Sequence, residues 1–162
     1  MHIFVKSIKS LGLMETGMRN LPIGIQSFEN LRENGYLYVD KTDLVYKLVT
    51  TGKPYFFSRP RRFGKSLLIS TLEAYFQGRK DLFHGLAIEG MEKEWKQYPV
   101  FHLDLNAEKY DAPERLYAIL NNYLCNWEKA YGRDESETTL SLRFLGVIRR
   151  AYEQTGMGVA VL

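Results

Sequence analysis

Eight consecutive residues hold the densest chemistry in this chain: Arg59-Pro60-Arg61-Arg62-Phe63-Gly64-Lys65-Ser66. Gly64 lets the backbone approach an anion closely, the Lys65 ammonium suits the outer oxygens of a polyphosphate, and the Ser66 hydroxyl suits Mg²⁺. A phosphate-binding loop of that type ends in Gly-Lys-Ser or Gly-Lys-Thr and usually begins with glycine, whereas Arg59 stands at the first position here. Arg59, Arg61, Arg62 and Lys65 place four positive charges in seven residues with no acid among them, so an anionic partner is felt most strongly there. The plain alternative is a helix start preceded by a solvated basic turn, since Gly-Lys-Ser is a common tripeptide.

A phosphate loop needs a strand ahead of it and a helix opening behind it. Tyr55-Phe56-Phe57, bounded by Thr51-Gly52-Lys53-Pro54 and by Arg59-Pro60, reads as a short buried strand. From Lys65 the period changes: Leu67, Leu68, Thr71, Leu72, Tyr75 and Phe76 recur at three and four, which predicts a helix ending at Gly78. Upstream, Ser27 caps a short helix through Arg32, Tyr36 to Val39 reads as extended, and Asp40 or Thr42 caps a helix to about Thr50. Downstream, Leu82 to Ile88 reads as irregular, Met91 to Gln97 as one or two helical turns, and Val100 to Leu105 as a second strand. Asp111 or Pro113 starts a helix that stops near Gly132. The polar linker Arg133 to Glu137 precedes another helix from about Leu140 to Thr155-Gly156, and Gly158 to Leu162 is β-leaning. Strands alternating with helices predict an α/β architecture with a mostly parallel sheet.

Composition narrows the function classes. The chain has 162 residues, 45% apolar, 25% charged and 14% aromatic, enough for one globular domain. A net charge of +3 excludes wholesale disorder, and no apolar run approaches the ~20 residues of a membrane-spanning helix. The charge is uneven: residues 1–81 carry net +6 and residues 82–162 net −3. A single cysteine, Cys125, allows no internal disulfide and no thiolate cluster, in keeping with a reducing compartment and a cytoplasmic location. Cys125 falls on the apolar stripe near Leu124 and Trp127 and reads as a buried small hydrophobe. His2, His84 and His102 have no companions at metal-ligand spacing. Residues 1–20 contain no secretory core or cleavage site and read as a tail, with the domain occupying 21–162.

Several segments together resemble the bacterial AAA-ATPase-like proteins: Leu21-Pro22-Ile23-Gly24, Phe28, Tyr38-Val39-Asp40-Lys41-Thr42, and Ser58-Arg59-Pro60-Arg61-Arg62-Phe63-Gly64-Lys65-Ser66-Leu67. In that family an RPRRFGKS-type loop replaces the ordinary Walker A sequence, which accounts for Arg59. The resemblance runs from about Leu21 to the last residue. It implies an AAA-like P-loop NTPase fold, three layers α/β/α, here incomplete and lacking its C-terminal strands. It implies ATP and Mg²⁺ as ligands, with Arg61, Arg62, Phe63, Gly64, Lys65, Ser66 and Leu67 at the nucleotide and Ser66 at the metal. It places Tyr38, Asp40 and Lys41 beside that site, Asp40 being equally readable as a helix cap.

In such proteins the strand resembling Val159 to Leu162 is followed by an acidic Walker B segment, and beyond the ATPase core by a C-terminal nuclease-like domain. The chain therefore reads as the front of a longer protein, expected to bind nucleotide without hydrolysing it alone. Asp104, at the end of the second strand, is the one acid placed to be mistaken for a Walker B residue. A different class of function, an interaction module for nucleic-acid phosphates built on Arg59, Arg61, Arg62 and Lys65, is the alternative partner reading. A nonfunctional remnant is a third.

Overall fold

A computed structural model describes residues 20–58, 60, 63–105 and 112–162. The expected tail up to residue 19, three of the loop arginines (Arg59, Arg61, Arg62) and the Asp111 helix start lie outside the described residues. In chain order the elements are α1 (Phe28–Glu33), α2 (Thr42–Thr50), α3 (Lys65–Phe76), a 3₁₀ turn (Lys80–Phe83), α4 (Ala87–Met91), β1 (Val100–Phe101), α5 (Pro113–Tyr131), α6 (Leu140–Thr155) and β2 (Ala160–Val161).

Local chemistry explains most of the boundaries. The Ser27 hydroxyl accepts from Asn30 N and opens α1, and the Thr139 hydroxyl accepts from Leu142 N and opens α6. Pro113 occupies the first turn of α5, where its missing N–H costs nothing. Gly156, at φ 67°, closes α6 in the left-handed conformation that an L side chain resists. β1 and β2 pair in parallel, with Val100 opposite Ala160 and Phe101 opposite Val161, so the two stretches expected to be strands are neighbours. The ladder covers two residues of each, shorter than the Val100 to Leu105 run expected.

Two apolar clusters are buried. One joins Phe28, Val45, Leu72, Tyr75, Phe83 and Ile88, and so gathers α1, α2, α3, the 3₁₀ turn and α4. The other joins Phe101 of β1 to Leu124 of α5 and to Val147 and Ala151 of α6. Phe101 stacks on Trp127 with ring centroids 4.4 Å apart. Between α5 and α6, the buried Arg143 donates from Nε and Nη2 to the two oxygens of Glu128, at 2.7 and 2.8 Å, and from Nη1 to Asn121 Oδ1. Gly146 is required by its neighbour: a Cβ there would lie 1.8 Å from Glu137 Oε1, whose carboxylate crosses the helix to meet Arg150 at 2.7 and 3.0 Å.

Four expectations need correction. Tyr55, Phe56 and Phe57 do not form a buried strand: they are 53%, 95% and 41% exposed, outside any ladder. A strand is made by the partner it pairs with, and the sheet formed by the described residues consists of β1 and β2 alone. The helical turns expected at Met91 to Gln97 lie earlier, at Ala87–Met91, beginning within the last two residues of the Leu82 to Ile88 stretch read as irregular. Residues far upstream place them. Asp40 Oδ2 accepts from Ala87 N at 2.7 Å and Thr42 Oγ1 accepts from Ile88 N at 3.1 Å, holding the first amides of α4. Finally, Cys125 is half-buried and lies among polar groups, with Arg143 Nη2 donating toward its sulfur at 3.5 Å.

Asp40 also serves its own helix. Its Oδ1 accepts from Thr42 N at 2.9 Å and from Thr42 Oγ1 at 2.7 Å. Burial alone would raise its carboxyl pKa, but the hydrogen bonds from Ala87 N, Thr42 N and Thr42 Oγ1 outweigh that and hold it below the ordinary value. A depressed folded value contributes stability above the unfolded carboxylate pKa, about 4, and loses it as pH falls through the folded value. Asp40→Ala is expected to cost about 1 kcal/mol in urea unfolding at neutral pH. The deficit should shrink as pH falls into the acid range.

Candidate functional site

Gly64, Lys65 and Ser66 meet at one helix tip. Gly64 is the N-cap of α3 at φ 73°, ψ 23°, a left-handed conformation, and its carbonyl accepts from Leu68 N at 3.0 Å to close the first turn. A Cβ at Gly64 would meet nothing within 4 Å, so glycine is needed here for its backbone angle, and the approach to the turn is open. Lys65, Ser66 and Leu67 are the first three residues of α3, whose amides have no intrahelical acceptor. Gly64 has no side chain to cap this end and the first turn carries no acid, so neither supplies negative charge to the helix start. Phe63, Lys65 and Ser66 are exposed, while Leu67 is half-buried against the first apolar cluster.

Gly64→Ala is expected to cost about 1 kcal/mol, the conformational penalty of a left-handed residue with a Cβ. Urea denaturation should show the midpoint falling with an unchanged slope.

α3 itself is gripped along its length. Ser70 Oγ accepts from Phe28 N at 2.9 Å, bringing α1 onto the helix one turn beyond Ser66. Tyr38 packs against the first apolar cluster with its ring edge-on to Phe28 at 5.2 Å, and burial pushes its hydroxyl pKa up. Glu73 Oε2 lies 3.1 Å from His102 Nδ1, just after β1. Tyr75 donates to Glu92 Oε2 at 2.5 Å, and the Phe76 carbonyl accepts from Tyr98 N at 2.7 Å. The resemblance set Tyr38, Asp40 and Lys41 beside the nucleotide site, with a helix-start role the equal reading for Asp40; in the structure Tyr38 packs on Phe28, and Asp40 accepts from Thr42 N and Ala87 N, joining the starts of α2 and α4. Ser70, Glu73 and His102 escaped that reading. The spacing of Ser66, Ser70 and Glu73 at four and three was the available signal that one helix face is polar.

Two clefts formed by the described residues lie elsewhere. One of about 200 Å³ runs between α1 and α3 past Ser27, Ser70, Glu73 and Arg79, and one of about 350 Å³ lies beside α6 at Leu142, Leu145 and Arg149. Neither is lined by Gly64, Lys65 or Ser66. Asp104 is exposed and its carbonyl accepts from Tyr123 Oη at 3.1 Å. Among the described residues no group of three or more His, Cys, Asp or Glu side chains comes together as a cation site, and no helix is long and apolar enough to cross a membrane.

A family model described as "Predicted AAA-ATPase", AAA-ATPase-like, matches residues 22–162. The chain belongs to the AAA-ATPase-like family. That membership is consistent with a nucleotide-binding role in general. It also covers all the elements that hold α3 in place, from Phe28 to β2. A family relative, described as an uncharacterized protein in the vnfD 5′ region of Azotobacter chroococcum mcd 1, is 37% identical over 145 residues, 89% of this chain. The chain spans 28% of that relative's length. No solved structure matches the chain.

Proposed function

We propose that the tip of α3 binds the phosphates of a nucleoside triphosphate, ATP with Mg²⁺ in the first instance. The observation that carries this reading is the left-handed Gly64 opening a helix on Lys65 and Ser66 with no acid in its first turn. The amides of Lys65, Ser66 and Leu67 would face the phosphate oxygens, the Lys65 ammonium the β and γ groups, and the Ser66 hydroxyl the metal. Arg61, Arg62 and Phe63 precede that turn in sequence and are proposed as flanking contacts. The donor set fits the ligand: oxygen for Mg²⁺, N–H and ammonium for phosphate. Phosphoryl transfer also needs a group that positions water or offsets charge at the γ-phosphate, and α3 has no acid in its first turn. Phosphate binding is the activity proposed for these residues, and hydrolysis would need such a group in addition.

Isothermal titration with Mg²⁺-ATP tests the proposal: saturable binding that requires the triphosphate is the expected result. The competing nucleic-acid reading expects single-strand or duplex DNA binding with a steep salt slope and no response to Mg²⁺-ATP. That pattern would overturn the nucleotide assignment.

A further inference from the structure

We draw no further inference here: the strongest candidate, the exposed aromatic surface patch of Tyr55, Phe56 and Phe57 ahead of the phosphate loop, carries nothing because nothing in the structure shows what covers it.

Discussion

Lys65→Ala is expected to cut by half or more the rise in melting temperature that the proposed binding predicts for the unaltered chain with Mg²⁺-ATP. A ligand that binds only the folded state stabilises it by about 2.7 kcal/mol at 100 times its dissociation constant. For a domain of this size that corresponds to roughly 5 to 10 °C. A charge-assisted hydrogen bond contributes about 1.5 to 3 kcal/mol, so affinity should fall by roughly tenfold to a hundredfold. At 100 times the original dissociation constant the stabilisation then falls to about 1.4 kcal/mol for a tenfold loss and to about 0.4 kcal/mol for a hundredfold loss. Lys65 is exposed at the first position of α3, so the ligand-free melting temperature should scarcely move. An equal nucleotide response in both proteins would remove the ammonium from the site and with it the proposed assignment. Lys65→Arg discriminates further, because a planar guanidinium replaces a point charge and should restore affinity only in part.

The second large effect is one of stability. Glu128 and Arg143 are 7% and 5% exposed, and they meet through two hydrogen bonds between α5 and α6. The Arg143 guanidinium holds the Glu128 carboxyl below its ordinary pKa, and Glu128 in turn raises that of Arg143. Removing one partner strands the other charge away from water, at a cost of about 3 to 5 kcal/mol. Glu128→Leu should therefore forfeit at least about a fifth of the ~5 to 15 kcal/mol by which a typical domain is stable. The double variant Glu128→Leu with Arg143→Met should recover most of that loss, because an apolar pair of similar volume needs no compensation. Chemical denaturation of the three proteins measures it; a double variant no better than the single one would show that packing, not charge, dominates there. The pair is also acid-sensitive. A carboxyl with a depressed folded pKa gives its stability above about pH 4.3 and surrenders it as pH falls through the folded value.

Those two regions differ in how readily they could be read from residue order. The turn at Gly64 and the helix after it were legible because they are local: α3 begins at Lys65 as its apolar spacing required. The same holds for Ser27 as a cap, Pro113 in a first turn and Gly156 at a helix end, each acting within a few residues. What failed was nonlocal. The start of α4 is written in Asp40 and Thr42, more than forty residues earlier, and nothing between Leu82 and Gln97 reveals it. Tyr55 to Phe57 has the composition of a strand, yet composition supplies no ladder partner. Arg143 reads in sequence as an ordinary helix-surface arginine, and only the register of α6 against α5 turns it inward onto Glu128. Cys125 was misjudged for the same reason, since its apolar neighbours in sequence are not the groups its sulfur meets.

The clasp on α3 bears on how loss-of-function variants are interpreted. Phe28, Tyr38, Glu73 and Tyr75 each fasten the rod whose end presents Lys65 and Ser66. A genetic screen scored by nucleotide retention would therefore recover hits scattered over half the chain, and most would be scaffolding failures in disguise. Only lesions that leave the empty protein's melting curve untouched identify groups that meet the anion.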